Sequence, residues 1–116
     1  MQYLALIYGD ESRWGGLSPE ERESEMGEYM ALSQAAVTKG GNELDGVATA
    51  TTVRVRGDET LVTDGPFAEL KESLGGSYVF ECDSIDEACT WAAKIPAARH
   101  GAIEVRPVYV DGGEQS

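Results

Sequence analysis

The sequence predicts an α+β sandwich of the split βαβ kind carrying an inserted β-hairpin, and three observations predict it. Strand-like and helix-like segments follow one another as strand, helix, strand, hairpin, strand, helix, strand. Two helix starts carry the same Ser-x-x-Glu signature, Ser18-Pro19-Glu20-Glu21 and Ser84-Ile85-Asp86-Glu87. A Gly57-Asp58 pair divides two β-branched runs, the pattern of a tight hairpin turn.

The first strand is Tyr3 to Tyr8, ended by Gly9-Asp10-Glu11-Ser12. Side chains alternate across a strand, so Tyr3, Ala5 and Ile7 take one face and Leu4, Leu6 and Tyr8 the other. Both faces want cover, yet helices in so short a chain cover only one. The first helix is expected from Ser18 to about Lys39, with Met26, Tyr29, Met30, Ser33, Ala36 and Val37 buried and Gly40-Gly41 as terminator. A return strand starts at Asn42-Glu43-Leu44, and the hairpin joins Thr51–Arg56 to Thr60–Thr63.

Residues 68–73 are compatible with a single helical turn, and Gly75-Gly76 reads as a bulge at the entry to the strand Ser77–Cys82. The second helix runs to about Lys94, with Ile85, Ala88, Cys89, Ala92 and Ala93 buried and Pro96 as its stop. The last strand spans Ala102–Val110, placing Ile103 and Val105 opposite Glu104, Arg106 and Val108. This architecture is ferredoxin-like, a single domain over residues 1–110. Residues 111–116 have nothing to bury and read as a mobile tail. The uncovered sheet face, apolar beside charged, is the bottom-up reason to expect a homodimer enclosing a partly polar cleft.

Composition narrows the partners. The chain has 116 residues, with 21 acidic against 9 basic for a net charge of −12. Such a field repels phosphate backbones and anionic membranes, so direct nucleic-acid and membrane binding are not expected. No apolar run approaches the roughly 20 residues that span a bilayer, and no signal-peptide pattern opens the sequence, so the expected location is the cytoplasm. Cys82 and Cys89 lack metal-ligand spacing and read as two reduced, packed thiols; no metal and no cofactor is expected.

The stretch that draws attention is Val62-Thr63-Asp64-Gly65-Pro66-Phe67, where a stiff turn holds Asp64 at a strand end. Phe67 suits the role of an anchor in a core or of a ligand contact. His100, the one histidine, lies in a helix-to-strand loop. If Asp64 approaches it, the carboxylate orients the imidazole as a general base. Tyr8 and Tyr29 offer hydroxyls, and Arg106 suits an anionic substrate. The plain alternative for each is packing, a salt bridge or solvation.

The Val62–Glu69 stretch, with Lys71-Glu72 and Leu74-Gly75-Gly76, resembles the DGPF branch of the YCII-related family. Further matching stretches are Tyr3–Glu11, Ala50–Arg54, Pro96–Gly101 and Glu104–Pro107. The resemblance implies a ferredoxin-like fold pairing as a dimeric α/β barrel. Better-understood members are associated with a His–Asp pair in a cleft, the His on the first helix, and one branch resembles dehydrochlorinating lyases. This chain departs from that pattern, having Tyr29 or Met30 at about the matching place, while Asp64 lies where the family's turn carboxylate is expected. The DGPF branch is also often encoded beside, or fused to, extracytoplasmic-function sigma factors.

Three functions are therefore compatible with the sequence. One is a small-molecule-binding or enzyme-like protein with Asp64 and His100 in acid–base roles at a dimer cleft. Another is a non-catalytic accessory module working with a sigma factor, and the third is a structural dimer whose turn serves folding alone.

Overall fold

The computed structural model describes residues 1–111. Its order is β1 (Gln2–Gly9), α1 (Pro19–Ser33), β2 (Thr38–Glu43), β3 (Thr51–Arg56), β4 (Glu59–Asp64), β5 (Ser73–Glu81), α2 (Ile85–Ala92) and β6 (Ala102–Pro107). Short 3-10 turns at Glu11–Gly16, Val47–Thr49 and Pro96–Arg99 link them. Four strands form one antiparallel sheet in the order β2-β5-β1-β6, and β3 with β4 forms a separate two-stranded hairpin. This mixed α+β arrangement is consistent with a ferredoxin-like fold.

The helix-covered face carries Tyr3, Ala5, Tyr78 and Phe80, all buried, with Ile7, Ile103 and Val105 beside them. Leu32 of α1, Ala88 and Ala92 of α2, and Ile95 close over it. Burying each large side chain contributes on the order of 1.5–3 kcal/mol, so Tyr3, Phe80 and Ile95 hold the two layers together. Tyr78 stacks on Phe80 with ring centroids 5.6 Å apart, and its hydroxyl donates to the Tyr29 carbonyl at 3.0 Å. On the opposite face the register sets Leu4 between Val79 and Arg106, and Leu6 between Ser77 and Glu104. The mixed apolar and charged face read from the sequence is there, with no helix of the described residues over it.

Several local expectations are corrected. Helix α1 stops at Ser33, six residues before Lys39, because the Thr38 hydroxyl donates to the Leu32 carbonyl at 2.6 Å as the chain turns into β2. Gly40 and Gly41 lie inside β2 and terminate nothing. A Cβ on Gly41 would meet the Ser77 carbonyl oxygen at 2.6 Å, so the glycine permits close pairing with β5. The buried stripe of α1 runs through Glu25, Tyr29 and Leu32 at helical spacing, leaving Met26 and Met30 exposed.

Residues 68–72 form no helical turn, and Phe67 is 75% exposed instead of anchored in a core. Helix α2 ends at Ala92 with Ile85 and Cys89 exposed, so only Cys82 is a packed thiol. Strand β6 stops at Pro107, which has no N–H for the ladder, leaving Tyr109 and Val110 exposed. The bulge is found: Ile7 pairs with Gly76 and Tyr8 with Leu74, leaving Gly75 as the extra residue. The tail expectation lies largely outside the described residues.

Candidate functional site

The chain leaves the sheet at the end of β1, where Asp10 accepts from the Ser12 backbone N–H at 2.9 Å and hydroxyl at 2.7 Å. Those bonds hold its carboxyl below the usual range and start the 3-10 turn that carries Arg13. Helix α1 then begins at a full capping box between Ser18 and Glu21, which fixes the helix phase. In that phase Glu25 points into the protein and its side chain is only 10% exposed.

Arg13 meets it with both guanidinium arms, Nη1 to Oε1 at 3.1 Å and Nη2 to Oε2 at 2.6 Å. A forked, charge-assisted pair of this kind keeps the carboxylate ionised. The Arg13 hydrogen bonds hold the Glu25 carboxyl below its ordinary range against desolvation, with Arg13, His100 and Arg99 adding positive potential. The same contact raises Arg13.

His100 comes to this carboxylate from the other end of the chain. The 3-10 turn Pro96–Arg99 is tied to α1 by Arg99, which donates to Glu28 at 2.9 and 3.2 Å. Behind it Gly101 packs directly on the Tyr8 carbonyl. These contacts place His100 Nε2 3.9 Å from Glu25 Oε2. That separation is too long for a hydrogen bond and lies within ion-pair range. One turn along α1, Tyr29 is half-buried. Burial pushes its phenol up, opposed by a backbone hydrogen bond from Ala97 in the same 3-10 turn.

On its outer side His100 lines an open cleft of about 660 Å³ with Asp10, Leu70, Lys71 and Glu72. The far wall is thus the segment joining β4 to β5. Of the charged groups there, Lys71 supplies a positive charge, and Asp10 and Glu72 supply acceptors. An imidazole backed by a fixed carboxylate at the edge of a cleft can exchange a proton with a bound molecule. Among the described residues no group of three His, Cys, Asp or Glu side chains has metal-binding geometry. No helix among them is long and apolar enough to cross a membrane.

The six residues singled out in the sequence separate into three groups. His100 and Tyr29 gather about Glu25. Tyr8 and Arg106 belong to the uncovered sheet face, where the Tyr8 hydroxyl points at Glu104 Oε1 from 3.5 Å. Asp64 ends β4 opposite Thr51, exposed, and Phe67 follows it, its ring 5.0 Å from the Arg54 guanidinium carbon. Among the described residues the carboxylate within 4 Å of His100 is that of Glu25. Gly65 has a φ of +101°, so the turn after Asp64 does use the freedom of glycine.

Glu25 and Arg13 were missed by sequence reasoning. In the sequence Glu25 stands among several acidic residues in the N-terminal half of the first helix, where acidic side chains complement the helix dipole. The available signal was its place four residues before Tyr29 and seven before Leu32, on the stripe that faces the core.

Comparison with known proteins gives two findings. A family model described as the YCII-related domain matches residues 1–110. An uncharacterized protein of Rhizobium meliloti (strain 1021) is 40% identical, with the match covering 93% of this chain and 92% of that protein.

Proposed function

The chain belongs to the YCII-related domain family, and from that premise we propose that it binds a small molecule in the cleft beside His100 and exchanges a proton with it. The observation that carries this reading is the ordered series Arg13, Glu25, His100, which holds an imidazole against an ionised carboxylate at the cleft wall. In it Arg13 keeps Glu25 charged, Glu25 stands beside the imidazole, and His100 gives or takes the proton. Lys71 offers the ligand a cation beside the carboxylates of Asp10 and Glu72, and Tyr29, outside the lining, is tied to Ala97 in the turn that carries His100. The role given by sequence to Asp64 as partner of His100 falls in this reading to Glu25.

The quaternary reading is a homodimer of ferredoxin-like subunits, the dimeric α/β barrel implied by resemblance to the DGPF branch, in the cytoplasm. It is supported by the half-buried Leu4, Leu6 and Val79 on the uncovered sheet face.

The chain contains one histidine, so its imidazole signals in a proton–nitrogen correlation spectrum need no assignment. Metabolite pools added to the protein should shift the His100 ring resonances together with the Lys71 amide, and His100→Gln should abolish binding. Pools that leave both unmoved, or a ligand that binds His100→Gln equally well, would overturn the reading. Capture of a sigma factor lost on surface substitutions but retained on cleft substitutions would support the accessory role instead.

A further inference from the structure

The geometry points to the β3–β4 hairpin as an arm that packs on a second copy of this chain. It lays Val53, Val55 and Val62 on the uncovered face of that copy's sheet, around Leu4, Leu6 and Val79. The inference rests on the homodimer of the preceding reading and adds which surface holds it together.

The hairpin has a valine-bearing face over which no other strand or helix among the described residues packs substantially. Its register sets Val53 opposite Val62 and Val55 opposite Thr60, which gathers the three valines on one side. Their exposures are 60%, 60% and 65%. Thr51, Thr60 and Asp64 share the valine side at its ends, and the other side carries Thr52, Arg54, Arg56, Glu59, Leu61 and Thr63, with Arg54 over the Phe67 ring. Neither strand packs substantially on the four-stranded sheet or the helices. An amphipathic hairpin whose apolar side faces water is a docking surface or an aggregation hazard.

The exposed area says how large the missing partner surface is. A compact monomer of 12.4 kDa exposes about 6,100 Å², whereas this chain exposes 7882 Å². Allowing residues 112–116 as much as about 700 Å² still leaves an excess of roughly 1,000 Å². That matches the ~800 Å² that each partner contributes to a stable interface.

Charge and reach select a second copy as the occupant. The arm, residues 51–64, carries two Arg against three acidic residues, a net −1 within a chain of −12. It is therefore a part of the molecule that another acidic copy repels little. Six extended residues reach about 20 Å, enough to cross the roughly 15 Å width of a four-stranded sheet. The segment after the arm contains Leu70, Lys71 and Glu72, so seating the arm also fixes one wall of the His100 cleft.

The test uses the full chain, by sedimentation equilibrium across a dilution series. The natural protein should sediment at twice 12.4 kDa. The double variant Val53→Lys, Val62→Glu keeps the hairpin through a cross-strand ion pair but removes its apolar face. It should dimerise about tenfold more weakly or worse, with an unchanged core amide spectrum. In a mixed-label sample, isotope-filtered spectra should connect Val53, Val55 and Val62 methyls of one copy to Leu4 and Leu6 methyls of the other. A monomeric natural protein would overturn both arm and dimer. A dimer indifferent to the double variant, without those methyl contacts, overturns the arm alone.

Discussion

The backbone of Gly101 approaches the carbonyl of Tyr8 so closely that a Cβ on Gly101 would lie 2.1 Å from that oxygen and 3.1 Å from the Gly9 Cα. This contact seats the His100 loop on the end of β1. Gly101→Ala must therefore shift backbone, with a destabilisation of about 1–3 kcal/mol for overpacking. The urea midpoint should fall and the His100 ring resonances should move, because the imidazole is carried by the displaced loop. Gly15→Ala is the control, since a Cβ there meets nothing within 4 Å. Equal midpoints for the two variants would refute the packing argument.

Glu25→Gln removes the charge that Arg13 grips while keeping the shape. Arg13 retains some solvent contact at 31% side-chain exposure, so the loss at neutral pH should be about 1–2 kcal/mol. The pH dependence follows from the direction of the shift. The Glu25 carboxyl is held below the ordinary glutamate range in the folded protein, by Arg13 first, then by His100 and Arg99. A depressed folded pKa contributes stability that is complete above the unfolded value and disappears as pH falls through the folded one. Stability curves of the natural protein and Glu25→Gln should differ at pH 7, begin to approach one another as pH falls through the ordinary glutamate range, and meet only below the depressed folded value of Glu25. Parallel curves down to acid pH would show that the Arg13–Glu25 pair contributes nothing through ionisation.

The fold was legible where local rules and tertiary packing agree. Ser18 and Glu21 announced α1, Gly57-Asp58 announced the hairpin, and the alternation in Tyr3–Tyr8 and Ile103–Arg106 set both sheet faces. It was illegible where a long-range partner decides. Gly40-Gly41 has the composition of a helix stop, and only the approach of Ser77 and Tyr78 reveals a strand. The site failed for a related reason. Hydrophobicity directed attention to Met26 and Met30, whereas the helix buries Glu25 because Arg13, twelve residues earlier, neutralises it. A buried charge cannot be read from one residue when its partner arrives from a separate loop.

The two helix caps make a paired prediction. Ser18 accepts from the Glu21 N–H and Glu21 returns a bond to the Ser18 N–H at 2.9 Å. At α2 Ser84 accepts from the Glu87 N–H, while Glu87 reaches back to the Asp83 N–H at 3.4 Å instead. Each Ser→Ala change should cost about 1 kcal/mol. Glu21→Ala should add a further loss at α1 that Glu87→Ala does not match through its long bond to Asp83. Chemical denaturation of the four single variants measures this, and equal losses for the two Glu variants would contradict it.

The two cysteines share a short stretch of sequence and differ in chemistry. Cys82 is buried, its thiol pushed up by desolvation and then by the nearby Glu87, so little reactive thiolate forms. Cys89 projects to solvent from α2. A thiol reagent should label one cysteine per chain rapidly in the native protein and the second only on unfolding. Cys89→Ser should erase the rapid phase with little effect on stability, as expected for an exposed helix position. Cys82→Ser should instead preserve the rapid phase and destabilise the fold, since the new hydroxyl enters the cluster of Tyr3, Phe80 and Ala88. Rapid modification of both thiols in the folded protein would show that the edge of the core around Cys82 opens more readily than its packing allows.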